Sequence, residues 1–139
     1  VDISHFSERD RVGAVVVFHK GQPAKKRYRS YTIKKAAPGD TEAMKEVLER
    51  RYSKLDHMPD LLLIDGGLPQ LGAALSIKKK LGLTFDMVAL AKKEERLFME
   101  NGDSIVFPDD SPESFLVRNI RDEVHRRAVT HHRKRREKL

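Results

Sequence analysis

The sequence has no cysteine and no tryptophan. Without cysteine there are no disulfides and no thiolate metal sites, a composition compatible with a reducing compartment. No apolar run approaches the ~20 residues of a membrane span, and no signal peptide is visible. Internal repeats and low-complexity linkers are absent. So is the phosphate-cradling loop of nucleotide-binding proteins, because Gly66-Gly67 lacks the required spacing and lysine. One long stretch lacks acid: Lys20 to Lys35 holds seven basic residues and no Asp or Glu.

What remains is 139 residues, 39% apolar with clear periodic segments, which suits a single domain with one core spanning 1–139. The first residue is not Met, and Val1-Asp2-Ile3 reads as a strand already under way, so a fragment of a longer chain is expected. The net charge is +7 and is segregated. The Lys20–Lys35 stretch and the end from Arg121 to Leu139 together carry +12, against −5 elsewhere. Such segregation points to a polyanion partner, although a solvated surface with a loose basic tail over 133–139 produces the same count.

Leu61-Leu62-Leu63-Ile64-Asp65-Gly66-Gly67 organises the chain. Four aliphatic residues running into turn residues suit a strand buried on both faces. Asp65 is then delivered to the carboxyl edge of a sheet, where open α/β folds place their ligands. Two readings stay open for Asp65: a cap for the following helix, or a ligand.

Before this stretch, Val1 to His5 and Val12 to His19 read as strands. Lys20-Gly21-Gln22-Pro23 reads as a turn, and Lys25 to Ile33 as a third strand. A helix is predicted from Asp40 or Thr41 to about Leu55, with Met44, Val47, Leu48, Tyr52 and Leu55 on its buried face and Arg50 and Arg51 off it. After it come a helix over Pro69–Leu81, a strand over Met87–Ala91, and a hairpin over Arg96–Phe107 turning in type I′ form at Asn101-Gly102. A last helix begins at Ser111-Pro112-Glu113 and runs to about Arg133, with Leu116 or Val117, Ile120, Val124 and Ala128 as its stripe. A meander followed by β-α-β units implies a mixed sheet with helices on its faces, an α/β fold.

If the first strand and the organising strand are neighbours, Asp2 and Asp65 converge. Two carboxylates in one place repel unless a cation lies between them, and their hard oxygens suit Mg²⁺ or Mn²⁺. His125 sits at the border of the last helix's stripe, suited either to a ligand or base role or to a surface pair with Asp122 or Glu123. His131-His132 are adjacent and do not share a helix face. The basic residues Lys25, Lys26, Arg27 and Arg29 either protect an edge strand or face phosphates.

Three segments together resemble the carboxy-terminal endonuclease domain of UvrC, the dual-incision subunit of bacterial nucleotide excision repair. They are Asp2-Ile3-Ser4-His5, Ile64-Asp65-Gly66-Gly67 with Gln70-Leu71, and Ile120-Arg121-Asp122-Glu123-Val124-His125-Arg126. Pro38-Gly39-Asp40, Arg50-Arg51-Tyr52, Leu90-Ala91-Lys92, Asp110-Ser111-Pro112 and His132-Arg133-Lys134-Arg135 add to it in order. The resemblance implies an RNase H-like fold with a long C-terminal helix, and a cytoplasmic, Mg²⁺- or Mn²⁺-dependent cut 5′ to a lesion in double-stranded DNA during the response to DNA damage. It maps a catalytic and metal-binding set onto Asp2, Asp65 and His125, with Asp40 as an accessory acid. It implies UvrB as partner of the longer protein. On this reading Arg27, Arg29, Arg50, Arg51, Lys92, Arg121 and Arg126 are candidate phosphate contacts. The rival expectation is a non-catalytic nucleic-acid-binding or docking module on the same fold. Phe6-Ser7-Glu8-Arg9-Asp10 and Leu68-Pro69 depart from the family pattern, which carries a Gly-Glu pair and a Lys-Gly type pair there.

Overall fold

Leu62, Leu63 and Ile64 are all buried, as expected of an apolar run covered on both faces. The structure, a computed structural model, describes residues 2–7, 12–34, 40–54, 58–91, 96–108, 110–123 and 126. For 2–7, 12 and 40 it describes the backbone alone. The strands are β1 (Asp2–Ser7), β2 (Val12–His19), β3 (Gln22–Pro23), β4 (Arg29–Thr32), β5 (Leu61–Asp65), β6 (Asp86–Ala91), β7 (Arg96–Met99) and β8 (Ser104–Val106). The helices are α1 (Asp40–Tyr52), α2 (Leu68–Leu81) and α3 over 112–123. The sheet order is β3-β2-β1-β5-β6-β7-β8, with β4 also paired to β2. β1, β5 and β6 run parallel, and the other pairs are antiparallel. This is the mixed α/β sheet expected, with a helix at its carboxyl end.

Alternation along β5 divides the core. Leu62 and Ile64 join Met44, Val47 and Leu48 of α1 and Leu71, Ala74 and Ile77 of α2 on one face. Leu63 joins Ala14, Val16, Phe18, Tyr28, Leu90 and Ile120 on the other, under α3. The α1 stripe is buried as predicted up to Tyr52, where the helix stops; Leu55 lies outside the described residues. On α3, Ile120 is buried and Val117 packs beside it, whereas Leu116 is 42% exposed, which settles that pair of alternatives. Ser111 caps α3, its Oγ accepting the Ser114 N–H at 3.1 Å. Val124 and Ala128 lie outside the described residues.

Two local expectations are corrected. Lys25 to Ile33 is not one strand. Pro23 ends β3, Lys25–Arg27 form a single 3₁₀ turn, and β4 resumes only at Arg29. Between Pro23, opposite Phe18, and Arg29, opposite Val15, the chain holds three more residues than β2 does, and the basic turn takes up that excess. The second correction concerns hairpin turns. Positive φ at both Lys20 and Gly21, between the paired His19 and Gln22, makes that two-residue loop the type I′ turn. Near Asn101 only Gly102 has positive φ, and its N–H reaches the Met99 carbonyl at 3.0 Å, giving a three-residue loop closed by glycine.

Candidate functional site

Asp65 stands at the carboxyl end of β5, its Cα partnered with Leu90 of β6. Alternation puts it on the α3 face, beyond Leu63. The residue is half-buried and its Oδ1 is inaccessible to solvent. Gly66 continues the ladder by donating to the Leu90 carbonyl at 3.0 Å. A Cβ on Gly66 would lie 2.7 Å from Gln70 Cγ, so only glycine lets the first turn of α2 come this close. Gln70 uses that approach to accept the Gly67 N–H on Oε1 at 2.9 Å. Gly67, not Asp65, is the N-cap of α2, and without a side chain it forms only half of a capping box. Thus the cap reading of Asp65 gives way: Gly67 holds the cap position, and Gln70 closes back on its N–H.

β1 is the parallel neighbour of β5, which was the condition for Asp2 and Asp65 to approach. The register pairs Asp2 with Leu62, three positions before Asp65, so the backbone does not bring the two positions level. They are offset by about 10 Å along the strands at ~3.3 Å per residue, and position 2 falls in the register of Leu62 rather than in that of Leu63 and Asp65. Asp40 opens α1. The side chains of Asp2 and Asp40, and all of His125 and Lys92, lie outside the described residues. Among the described residues, no three His, Asp or Glu side chains gather as a cation site.

The candidate phosphate contacts fall into three groups. Arg27, Arg29 and Arg126 are exposed. Arg29 nevertheless spends Nη1 on the carbonyls of Lys26 and Tyr28, at 2.9 and 2.7 Å, tying down the 3₁₀ turn. Arg50 and Arg51 serve the α1 side. Arg50 donates to the Thr32 carbonyl at 2.8 Å and to Glu46 at 3.2 Å, with its guanidinium 5.3 Å from the centre of the Tyr31 ring. Arg51 is 9% exposed, its Nη1 donating to the Tyr31 hydroxyl, so its placement off the buried stripe is corrected. The apolar stem and stacked head let an arginine occupy such a position. Arg121 buries Nε and Nη2 beside Phe107, Ser114 and Val117.

Two contacts here were not foreseen. Tyr28, 7% exposed, donates its hydroxyl to Glu123 Oε1 at 3.1 Å across 95 positions of sequence. Glu123 Oε2 accepts Arg126 Nη1 at 2.6 Å. The sequence offers Glu123 only as a local partner for His125. His125 lies outside the described residues; for the contact with Tyr28, on a distant turn, the one available signal was an aromatic residue amid basic ones. A groove of about 520 Å³ lies elsewhere, lined by Lys34, Glu46, Glu49, Arg50, Ser53 and Lys54.

Comparison with known proteins agrees with this architecture. Residues 1–129 match the family described as the UvrC RNAse H endonuclease domain. The UvrABC system protein C of Thermotoga petrophila is 46% identical over 138 residues, covering 99% of this chain and 24% of that protein. That of Methanospirillum hungatei is 41% identical, covering 99% of the chain and 28% of the relative. That of Proteus mirabilis is 38% identical, covering 99% and 25%. The chain spans about a quarter of the length of the relatives it matches. No described helix is long and apolar enough to cross a membrane. On fold, motif order and near-complete coverage by the match, this chain belongs to the UvrC RNAse H endonuclease domain family.

Proposed function

We propose that this chain is the catalytic unit of a metal-dependent DNA endonuclease that hydrolyses a phosphodiester 5′ to a lesion in nucleotide excision repair. The observation that carries the reading is Asp65: a carboxylate with a solvent-inaccessible oxygen, at the carboxyl end of a central parallel strand, in a chain of this family. Carboxylate and imidazole donors fit Mg²⁺ or Mn²⁺, and Asp2, Asp65 and His125 would hold the ion. Such an ion supplies an acidified water and neutralises charge on the phosphoryl oxygens. Asp65 contributes a carboxylate at the end of a strand that is paired on both sides. His125 serves as ligand or as the base that takes a proton from water. Arg27 and Arg126 contact phosphates and position the duplex without reading sequence. Arg51 is left out of that group because it is buried. In the longer protein the substrate is damaged double-stranded DNA, the partner UvrB and the compartment the cytoplasm.

Cleavage of a nicked duplex with Mn²⁺ tests the reading. Wild type cuts, and Asp65→Ala binds the same DNA without cutting. Equal behaviour of the two in a preparation shown to bind DNA would defeat the nuclease proposal. It would favour the binding module, for which the exposed basic turn at Lys25–Arg27 is the supporting feature.

A further inference from the structure

The nuclease reading leaves one long-range contact unexplained: Tyr28 with Glu123. The Tyr28 ring is fixed in the apolar cluster of Ala14, Val16, Phe18, Leu63, Leu90 and Ile120. Its N–H bonds to the Lys25 carbonyl at 3.2 Å, so the phenol projects from a closed turn. Glu123 is 13% exposed and faces in two directions, toward Tyr28 through Oε1 and toward Arg126 through Oε2. Arg126 lies three residues along the same segment, so the bond that ties this end of α3 to the sheet is the one from Tyr28. A hydrogen bond to a mostly buried charged acceptor is stronger than one between neutral groups. Ile120 packs the same helix onto the face that carries Asp65.

We propose that Tyr28 is a positioning residue: through Glu123 it sets where the end of α3, and so His125, lies relative to Asp65. The inference rests on the nuclease reading, since it is that reading that gives the end of α3 its role.

The test uses the 139-residue chain and compares Tyr28→Phe, Glu123→Ala and Glu123→Gln with wild type. The glutamine amide oxygen still accepts the phenol O–H, so Glu123→Gln separates geometry from charge. Expected in Tyr28→Phe and Glu123→Ala are amide exchange over 120–126 faster by about tenfold, as for loss of one hydrogen bond, and a Mn²⁺-dependent single-turnover rate at saturating nicked duplex lower by a similar factor. DNA affinity stays within about twofold, and Glu123→Gln keeps a rate near wild type. Wild-type exchange in Tyr28→Phe overturns the clamp. Faster exchange with an unchanged rate overturns its role at the site. A loss confined to DNA affinity does so too, making the phenol a DNA contact. If wild type itself does not cut, the nuclease reading fails, and the exchange measurement still decides whether the clamp exists.

Discussion

The two faces of the sheet are built differently. On the α1/α2 face, side chains from two helices interlock with Leu62, Ile64, Met87 and Ala89 in a continuous apolar layer. Its polar groups lie at its margin and are bonded there. Glu46 is 4% exposed, accepting the Lys34 N–H at 2.8 Å and Arg50 at 3.2 Å. The α3 face has a smaller apolar cluster, and around it stand Asp65, Tyr28, Arg121 and Glu123, polar groups brought from three separate parts of the chain. The first face has the composition of a foundation. The second pays for polar burial that packing does not require, as sites of chemistry do.

Substitutions on each face should therefore fail in different ways. Leu48→Ala on the α1/α2 face should cost about 2–5 kcal/mol of folding stability, measured by chemical denaturation, while molecules still folded cut DNA normally. Asp65→Ala should do the reverse. Single-turnover cleavage should fall by at least about 100-fold, and Tm should change little, because residues kept for chemistry contribute less to stability than those kept for packing. A large drop in Tm with Asp65→Ala would mean the acid is structural and would erase the contrast. Glu46→Ala should cost about 1–3 kcal/mol by taking a charged acceptor from the Lys34 N–H and the Arg50 guanidinium, with no change in the metal dependence of cleavage.

The smallest effect concerns pH at the far edge of the sheet. Glu100 accepts both Lys78 Nζ bonds at 2.9 Å and the Met87 N–H at 2.8 Å. Desolvation raises its pKa, but the Lys78 hydrogen bond, the Met87 N–H and the Lys78 charge together hold it below the ordinary 4.5. A carboxyl depressed on folding adds stability above its unfolded pKa and loses it as pH falls through the folded value. Glu100→Gln should accordingly lower stability at pH 7 by less than about 1 kcal/mol, since the pair is partly exposed. The gap between the two proteins should close in acid below pH 4.5. A constant gap at every pH would assign the effect to packing.

The foundation was more legible in the sequence than the site. Met44, Val47, Leu48 and Tyr52 announce α1 by spacing alone, and Leu61 to Ile64 announce a strand buried on both faces, because periodicity and burial are local signals. The basic stretch after Pro23 was harder. Alternation around Tyr28 and Tyr31 resembles a strand, but a proline without an N–H and a three-residue excess turn it into a 3₁₀ turn first. Strand register is also invisible locally, and the level of Asp2 against Asp65 depends on it. The same holds for Tyr28 with Glu123 and for Arg51 with Tyr31, residues far apart in sequence that become partners only once the chain has folded.

The central claim is that Asp2, Asp65 and His125 share one cation, and Mn²⁺ can be followed directly because it broadens the NMR signals of nearby nuclei. Titrating the ¹⁵N-labelled chain should broaden the amides of Asp2 and Ile3, of Asp65 to Gly67, and of residues 124–126 together at the same low Mn²⁺ concentration. Signals from Leu48 and the rest of the α1/α2 face should persist, and Asp65→Ala should abolish the effect in all three segments. Broadening confined to one segment, or unchanged by Asp65→Ala, would contradict the shared site.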